Sequence, residues 1–152
     1  MRILWTLLAV FAAQGVAAQE VRDCVVMDRS QIVLNPLDTD TRTYANGDVT
    51  LGVIHDGRRN SPDSLFIVVY APDPANADQR TCNLVGTEAG RGYATVRLQS
   101  AVADFTAADG LTVKVPARIY QTEEGVVKGT LLAVNVNRAS NEVSVTQELA
   151  IE

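Results

Sequence analysis

The chain has 152 residues, of which 13 are Lys or Arg and 18 are Asp or Glu, so its formal net charge at pH 7 is −5. That balance argues against nucleic-acid binding, which depends on a basic patch, and against docking on anionic membrane surfaces. The length is that of one ordinary domain.

The first 18 residues have the features of a cleavable export signal. Arg2 supplies the positive N-terminal region, residues 3–13 form an apolar run, and the small residues Val16 and Ala18 stand at the −3 and −1 positions of a cleavage site. The apolar run is short for a transmembrane helix, which takes about 20 residues. We therefore predict a signal peptide at 1–18 and a single mature domain at 19–152, in the periplasm or secreted. An uncleaved N-terminal anchor is the alternative.

Loss of the signal would remove Arg2 and leave 12 basic against 18 acidic residues, a net charge of −6. No later segment of the sequence is apolar enough to suggest a membrane span. The expected partners of the mature chain therefore include neither nucleic acid nor a lipid bilayer.

The chain has two cysteines, Cys24 and Cys82, and both lie in the predicted mature domain. In an oxidising compartment the simplest interpretation is one structural disulfide, closing a loop of about 58 residues. A redox or metal pair is the alternative, but no CxxC spacing is present, and the mature chain has one histidine, His55, and one methionine, Met27. Zinc takes about four ligands and copper several soft ones. We predict the disulfide, with no metal and no other cofactor.

The first half of the mature chain shows strand patterns separated by turn residues. Strands are predicted at 24–27, 31–34 and 48–55, and Asn-Gly and Asp-Gly pairs mark turns at 46–47 and 56–57. Residues 65–70 are apolar on both faces and rich in β-branched side chains, which predicts the central strand of the core.

In the second half, strands are predicted at 81–85, 92–98, 111–119, 126–136 and 143–151. A short helix is predicted at 100–109, because Ser100 is a suitable N-cap, Val102 and Phe105 are three residues apart, and Gly110 follows. Strict alternation of apolar and polar residues marks 111–119 as a half-buried strand. Pro116 predicts that this strand lies at a sheet edge or carries a bulge, since proline has no N–H to donate.

About eight short strands with regular turn signals are typical of two packed antiparallel sheets. We predict an all-β, two-sheet antiparallel sandwich of the immunoglobulin-like or Greek-key kind. A small closed β-barrel is the alternative, because counting strands does not separate the two architectures.

Two places in the sequence offer charged or catalytic chemistry near one predicted strand end. His55–Asp56 is the only position where an imidazole could act, but no GxSxG, HExxH or SxxK motif accompanies it. Arg58 and Arg59 could bind a carboxylate or phosphate, but a solvated loop is the simpler interpretation of the pair. No catalytic residue is assigned.

Two further groups of residues suggest ligands only weakly. Asp38, Asp40 and Asp48 could supply oxygen ligands to calcium, but Arg42 stands where a calcium loop would carry another ligand, and aspartates are common in turns. The tyrosines that could form a sugar-binding platform are Tyr44, Tyr93 and Tyr120, although tyrosines at strand ends often bury their rings.

The sequence therefore predicts an exported, non-catalytic binding or structural module of the bacterial cell envelope. Its partner would be another protein, of undetermined identity, contacted through an exposed sheet edge or a loop rim. An envelope hydrolase that unites His55 with distant serines or carboxylates is one alternative. A small-ligand or lipid carrier with a cavity inside a barrel is the other.

Overall fold

The computed structural model describes residues 19–24, 40–58, 60–137 and 139–149. Within these ranges ten strands form two five-stranded antiparallel sheets, which confirms the predicted all-β, two-sheet sandwich. Sheet A has the order β1-β5-β4-β3-β2 and consists of β1 (Gln19–Asp23), β2 (Thr41–Tyr44), β3 (Val49–His55), β4 (Leu65–Pro72) and β5 (Arg80–Thr87).

Sheet B has the order β10-β9-β8-β6, and a further strand, β7, also pairs with β8. Its strands are β6 (Thr95–Val96), β7 (Val102–Thr106), β8 (Gly110–Gln121), β9 (Val126–Val136) and β10 (Val143–Leu149). None of the helical segments in the described ranges has the length and hydropathy needed to cross a membrane.

The main core lies between the sheets, where alternate residues of each strand point to the same face. β4 occupies the centre of sheet A, as its doubly apolar sequence predicts. Besides Tyr93, the largest core side chains with no more than 1 % of their surface exposed are contributed by both sheets: Leu51, Ile67, Val69, Val85, Val113, Val115, Leu132 and Val134.

A smaller cluster lies on the opposite face of sheet A and contains the disulfide. Phe66, Val68 and Leu84 are buried there beside Cys24. Cys24 and Cys82 form the predicted disulfide, with their Cα atoms 5.4 Å apart. The last residue pair of β1 and β5 is Asp23 with Asn83, so the next position places Cys24 directly opposite Cys82. The bond therefore joins neighbouring strands of one sheet, whereas the disulfide of antibody domains joins the two sheets.

The predicted helix at 100–109 is wrong. A short 3-10 turn at Leu98–Ser100 is followed by β7, and residues 107–109 form a turn. The spacing of Val102 and Phe105 fits one helical face, but backbone pairing with β8 outweighs this weak local preference.

The prediction for Pro116 is also wrong, because β8 lies inside sheet B and pairs with β9 without a break. On its other side, β7 pairs with β8 as far as Lys114, and β6 pairs with it from Ala117 onward. The Pro116 carbonyl accepts the N–H of Arg97 at 2.9 Å, so Pro116 directs its backbone groups into the gap between β6 and β7. The missing N–H therefore costs no ladder hydrogen bond.

The other predicted strands are found at the same or slightly shifted boundaries where the chain is described. The strand at 126–136 has the predicted limits, and 48–55, 81–85 and 143–151 correspond to β3, β5 and β10. Of 92–98, only Thr95–Val96 is a strand. Residues 25–27 and the predicted strand 31–34 lie outside the described residues.

Candidate functional site

A tight turn sets β7 against β8. The Thr106 hydroxyl donates to Asp109 Oδ2 at 3.1 Å and accepts the Asp109 N–H at 2.9 Å. Gly110 follows with φ of 81°, a left-handed conformation that glycine adopts without a steric penalty. Since Thr106 pairs directly with Gly110, this turn fixes the register of the whole hairpin.

β7 is exposed on both faces. All five of its residues are exposed, and the two large apolar side chains, Val102 and Phe105, have relative exposures of 67 % and 52 %. β7 pairs with β8 on one side, and no strand in the described ranges pairs with it on the other. It is therefore an apolar edge strand, the type of strand to which another chain can add.

The hydrogen-bond pattern determines which backbone groups of β7 face outward. Because the Pro116 carbonyl bonds to Arg97, the even-numbered residues of β8 direct their backbone groups toward the β6 and β7 side. Their partners in β7 are Val102, Asp104 and Thr106. The intervening residues, Ala103 and Phe105, therefore turn their backbone groups to the outer edge.

The charged residue of this edge is Asp104, which caps the strand. Its Oδ1 accepts the backbone N–H of Phe105 at 2.9 Å. On the outer face of the sheet it lies opposite Thr112, and the nearby Lys114 is engaged with Glu148 at 3.1 Å. The Asp104 carboxylate therefore satisfies the outward-facing N–H of the next residue, Phe105, without a contact from another strand.

A groove of about 350 Å³ lies beside the inner face of β7. Phe105 pairs with Leu111, a residue of the main core, and both line the groove together with Val49 and Val136. Its polar rim consists of Asn46, Asp48, Asn137 and Asn141. The groove thus joins an apolar floor to a rim of amide and carboxylate groups.

Backbone strain is concentrated around this groove. In the described ranges the non-glycine residues with positive φ are Ala45, Asn46 and Asn141, at 52°, 56° and 54°, and all three line it. Arg80 holds the first turn by donating from Nη2 to the Gly47 carbonyl at 3.0 Å. Strained backbone of this kind tends to occur at functional sites, so the groove belongs to the candidate site.

The outermost strands of sheet A, β1 and β2, make side-chain hydrogen bonds to other parts of the fold. Gln19 of β1 donates from Nε2 to Gln147 Oε1 of β10 at 2.9 Å, which brings the outer strands of the two sheets together at one corner. Arg42 of β2 donates from Nη1 to the carbonyls of Leu98 and Gln99, both at 3.2 Å, which ties β2 to the 3-10 turn.

The histidine site predicted from the sequence is a weak catalytic arrangement. His55 is exposed, and its Nδ1 lies 3.5 Å from the hydroxyl of Ser64, longer than an ordinary hydrogen bond. Ser64 is only 4 % exposed, which hinders access of a substrate to its oxygen. The carboxylate of Asp56 contacts Arg58 at 2.5 Å and so serves the arginine as its partner. A serine–histidine–carboxylate relay would need the imidazole oriented by an acid.

Of the two arginines considered as a carboxylate or phosphate site, the structure describes Arg58, whose guanidinium is engaged within its own loop. Arg58 binds Asp56 and also lies 3.6 Å from Asp63, and its hydrogen bond to Asp56 raises the pKa of the guanidinium. Asp63 is buried and also contacts Arg91 at 3.9 Å. Arg59 lies outside the described residues. The loop is thus held together by its own charges.

The predicted calcium ligands are not assembled where the chain is described. Asp48 lies 3.8 Å from Arg80, and Arg42 binds backbone carbonyls. Asp40 is exposed, and Asp38 lies outside the described residues. Within the described ranges no group of three or more His, Cys, Asp or Glu residues could hold a metal ion.

Of the three tyrosines considered for an aromatic platform, Tyr93 is fully buried, as tyrosines at strand ends often are. Its hydroxyl lies 2.6 Å from Gln19 Oε1 and 3.1 Å from the Gly86 carbonyl, the two acceptors available to its proton. Tyr44 is half-buried, and burial raises its pKa. Tyr120 is half-buried in a separate cleft. In the part of the chain that the structure describes, the large aromatic that is exposed is Phe105, which was predicted to lie in a helix. The signal that could have found it is the alternation of apolar and polar residues along Ala-Asp-Phe-Thr at 103–106.

Comparison of this chain with protein-family models, curated proteins and solved structures finds no match. The functional argument therefore rests on the residues and geometry of the chain itself. Of the sites described, the β7 edge with its adjoining groove combines exposed apolar surface, outward backbone groups and strained turns.

Proposed function

We propose that this protein is an exported, non-catalytic binding module of the bacterial cell envelope, and that it binds an extended segment of another protein as an additional strand on β7. The observation that carries this proposal is the exposure of β7 on both faces at the edge of sheet B. Strand addition is a recurrent mode of peptide recognition, in which main-chain bonds give affinity and side-chain sites give specificity.

Two features of β7 suit it to this role. Ala103 and Phe105 turn their backbone groups outward, so an incoming strand could pair with the edge without disturbing the bonds to β8. Val102 and Phe105 offer apolar surface on opposite faces, which a partner strand would cover. A bare edge of this kind promotes aggregation, and natural proteins usually cover it.

The placement in the envelope is supported by the sequence and by the disulfide. Residues 1–18 have the pattern of an export signal, and a disulfide between Cys24 and Cys82 persists in oxidising compartments. The acidic balance of the mature chain suits a protein partner better than nucleic acid.

The test uses a proline that blocks the outer edge alone. Ala103→Pro removes an outward-facing N–H and leaves the N–H groups that bond to β8 in place, since edge strands tolerate proline at such positions. Ala107→Pro, in the exposed turn that follows, is the matched control. A photo-crosslinking amino acid at Val102, introduced in cells, would trap the partner covalently for identification by mass spectrometry.

We expect one protein to crosslink at Val102 and none at the exposed Ser144 of β10. Ala103→Pro should abolish this product and weaken binding of the purified partner by about tenfold or more, because one hydrogen bond is lost and the ring blocks approach. Ala107→Pro should have little effect. A crosslinked product that survives Ala103→Pro, or the absence of any product specific to Val102, would overturn the proposal.

A further inference from the structure

We infer that β7 selects a partner strand with a basic residue opposite Asp104 and apolar residues on either side of it, and that it rejects a second copy of itself. The inference rests on the proposed function, because it specifies which strand the edge accepts. It follows from the register of β7, the position of its one carboxylate and the groove beneath it.

In a dimer formed by strand addition, the β7 strands of two copies of the chain would pair with each other. The outward backbone groups belong to Ala103 and Phe105, so an antiparallel pair of two β7 strands uses all of them only when Ala103 of each copy faces Phe105 of the other. That register places the two Asp104 residues directly opposite each other, with Cα atoms about 4.5 Å apart. Like charges directly opposite one another are destabilising. The register that forms the most backbone hydrogen bonds between two copies is therefore the one in which the two Asp104 carboxylates repel each other.

The same position favours a basic residue on a different strand. Cross-strand neighbours have Cβ atoms about 4.5–5.5 Å apart, within reach of a lysine or arginine head group. Asp104 is exposed and faces Thr112 within its own sheet, and the nearby Lys114 is engaged with Glu148. A basic residue brought by the partner would therefore meet a carboxylate that is not already committed to Lys114.

Strand addition also changes the role of the carboxylate. In the free protein Asp104 Oδ1 accepts the N–H of Phe105. A carbonyl of the incoming strand would take that N–H, and the carboxylate would turn to the partner's basic side chain. One residue thus protects the edge before binding and contributes to specificity afterwards.

The residues that flank the basic position would point to the opposite face of the sheet, because side chains alternate along a strand. That face carries Ala103 and Phe105 and adjoins the groove with its apolar floor of Val49, Leu111 and Val136. Apolar side chains on the partner would cover Phe105 and enter the groove. The expected segment therefore reads apolar, basic, apolar.

The test uses two short peptides that are acetylated and amidated and differ at one residue. Both alternate valine and threonine, one has lysine and the other glutamate at the centre, and N-methylation along one edge prevents the peptides from pairing with themselves. Binding to the mature protein would be measured by fluorescence anisotropy for wild type, Asp104→Asn, Asp104→Lys and Ala103→Pro. Sedimentation velocity would give the oligomeric state of each protein.

We expect wild type to prefer the lysine peptide by about two- to twentyfold, which corresponds to exchanging a repulsive for an attractive cross-strand pair. Asp104→Asn should remove the preference, and Asp104→Lys should reverse it. Wild type should sediment as a monomer, and Asp104→Asn should self-associate more strongly unless Ala103→Pro is also present.

Equal binding of both peptides, lost with Ala103→Pro, would overturn this inference and leave strand addition intact. A wild-type dimer that Ala103→Pro dissociates would also overturn it. Failure of both peptides to bind, or binding unaffected by Ala103→Pro, would count against the proposed function itself.

Discussion

Removal of the disulfide gives a quantitative test of how sheet A is held together. The bond between Cys24 and Cys82 spans 58 residues of sequence. The chain-entropy relation for a loop of that length gives about 4 kcal/mol of stabilisation at 25 °C. Since small domains are stable by about 5–15 kcal/mol, the Cys24→Ala, Cys82→Ala double variant should lose a large share of its free energy of unfolding.

The structure predicts which strand will be destabilised first when the disulfide is removed. The disulfide lies at one end of the β1–β5 pairing, and at the other end Gln19 bonds to Tyr93 at 2.6 Å and to Gln147 at 2.9 Å. Without the covalent link, β1 is held by its backbone pairing with β5 and by the side-chain contacts of Gln19, so its Cys24 end loses the nearest constraint. We therefore expect faster amide exchange in β1 than in β4, which is central to sheet A and buried on both faces.

Equilibrium unfolding in urea, monitored by far-UV circular dichroism, would measure the difference in free energy of unfolding between the oxidised wild type and the double variant. Alanine is chosen because Cys24 lies in an apolar cluster, where serine would bury a hydroxyl group. Wild type treated with reductant is the control. A loss below about 1 kcal/mol, with unchanged exchange in β1, would refute the assignment of the bond as the main constraint on this edge.

Two further predictions concern buried positions. Tyr93→Phe should cost about 1–3 kcal/mol, because Gln19 Oε1 and the Gly86 carbonyl lose their buried donor. Burial raises the pKa of Tyr93 above its usual value near 10, so wild type should be fully stabilised below about pH 10 and lose stability as the pH rises further, whereas Tyr93→Phe should lose less. Gly92→Ala should cost about 3 kcal/mol, since a Cβ would lie 2.8 Å from the Leu65 carbonyl carbon and 2.9 Å from the Asp63 carbonyl oxygen.

Urea titrations at a series of pH values would check the tyrosine predictions, and thermal melts would check the glycine. If the free energy of unfolding fell equally steeply with pH above pH 10 in wild type and in Tyr93→Phe, the Tyr93 hydroxyl would not be the cause of the loss of stability. Gly125→Ala is the matched control for Gly92→Ala, because nothing lies within 4 Å of its added Cβ and its cost is only the local strain of a positive φ. Equal effects of the two alanine substitutions would contradict the close approach at Gly92.

The architecture was predictable because its strongest signals are local. Residues 65–70 are apolar on both faces, and such a run in a two-sheet protein belongs at the centre of a sheet, where β4 lies. The alternation at 111–119 predicts a half-buried strand, and β8 has that pattern of burial. The disulfide was predictable for another reason: Cys24 had only one possible partner.

The segments that were predicted wrongly are those whose conformation depends on pairing with another strand. The helical spacing of Val102 and Phe105 competes with a short apolar–polar alternation at 103–106, and pairing with β8 selects the strand. Pro116 is tolerated in an interior strand because β6 and β7 leave a gap opposite it, a feature of residues up to twenty positions away. Neither fact is contained in a window of local sequence.

The candidate site, too, was predictable only in part from local sequence. Sequence reasoning predicted docking at a sheet edge or a loop rim without identifying the strand, and it predicted a helix where β7 lies. None of the candidate residues that it singled out belongs to β7. Asp104 was not singled out, since a lone aspartate gains meaning only from its place on an edge strand. Its importance depends on knowing that Ala103 and Phe105 face outward.

The arrangement of edges explains why one carboxylate could be enough to control assembly. At one corner of the sandwich β1 and β10 lie together, and at another Arg42 binds β2 to the 3-10 turn. These side-chain contacts link the outer strands of sheet A to sheet B and to its 3-10 turn. At β7 the fold leaves surface open, and Asp104 supplies a repulsive term against a second copy and an attractive term for a basic strand. Specificity is a difference between two affinities, and in this edge one residue contributes to both sides of that difference.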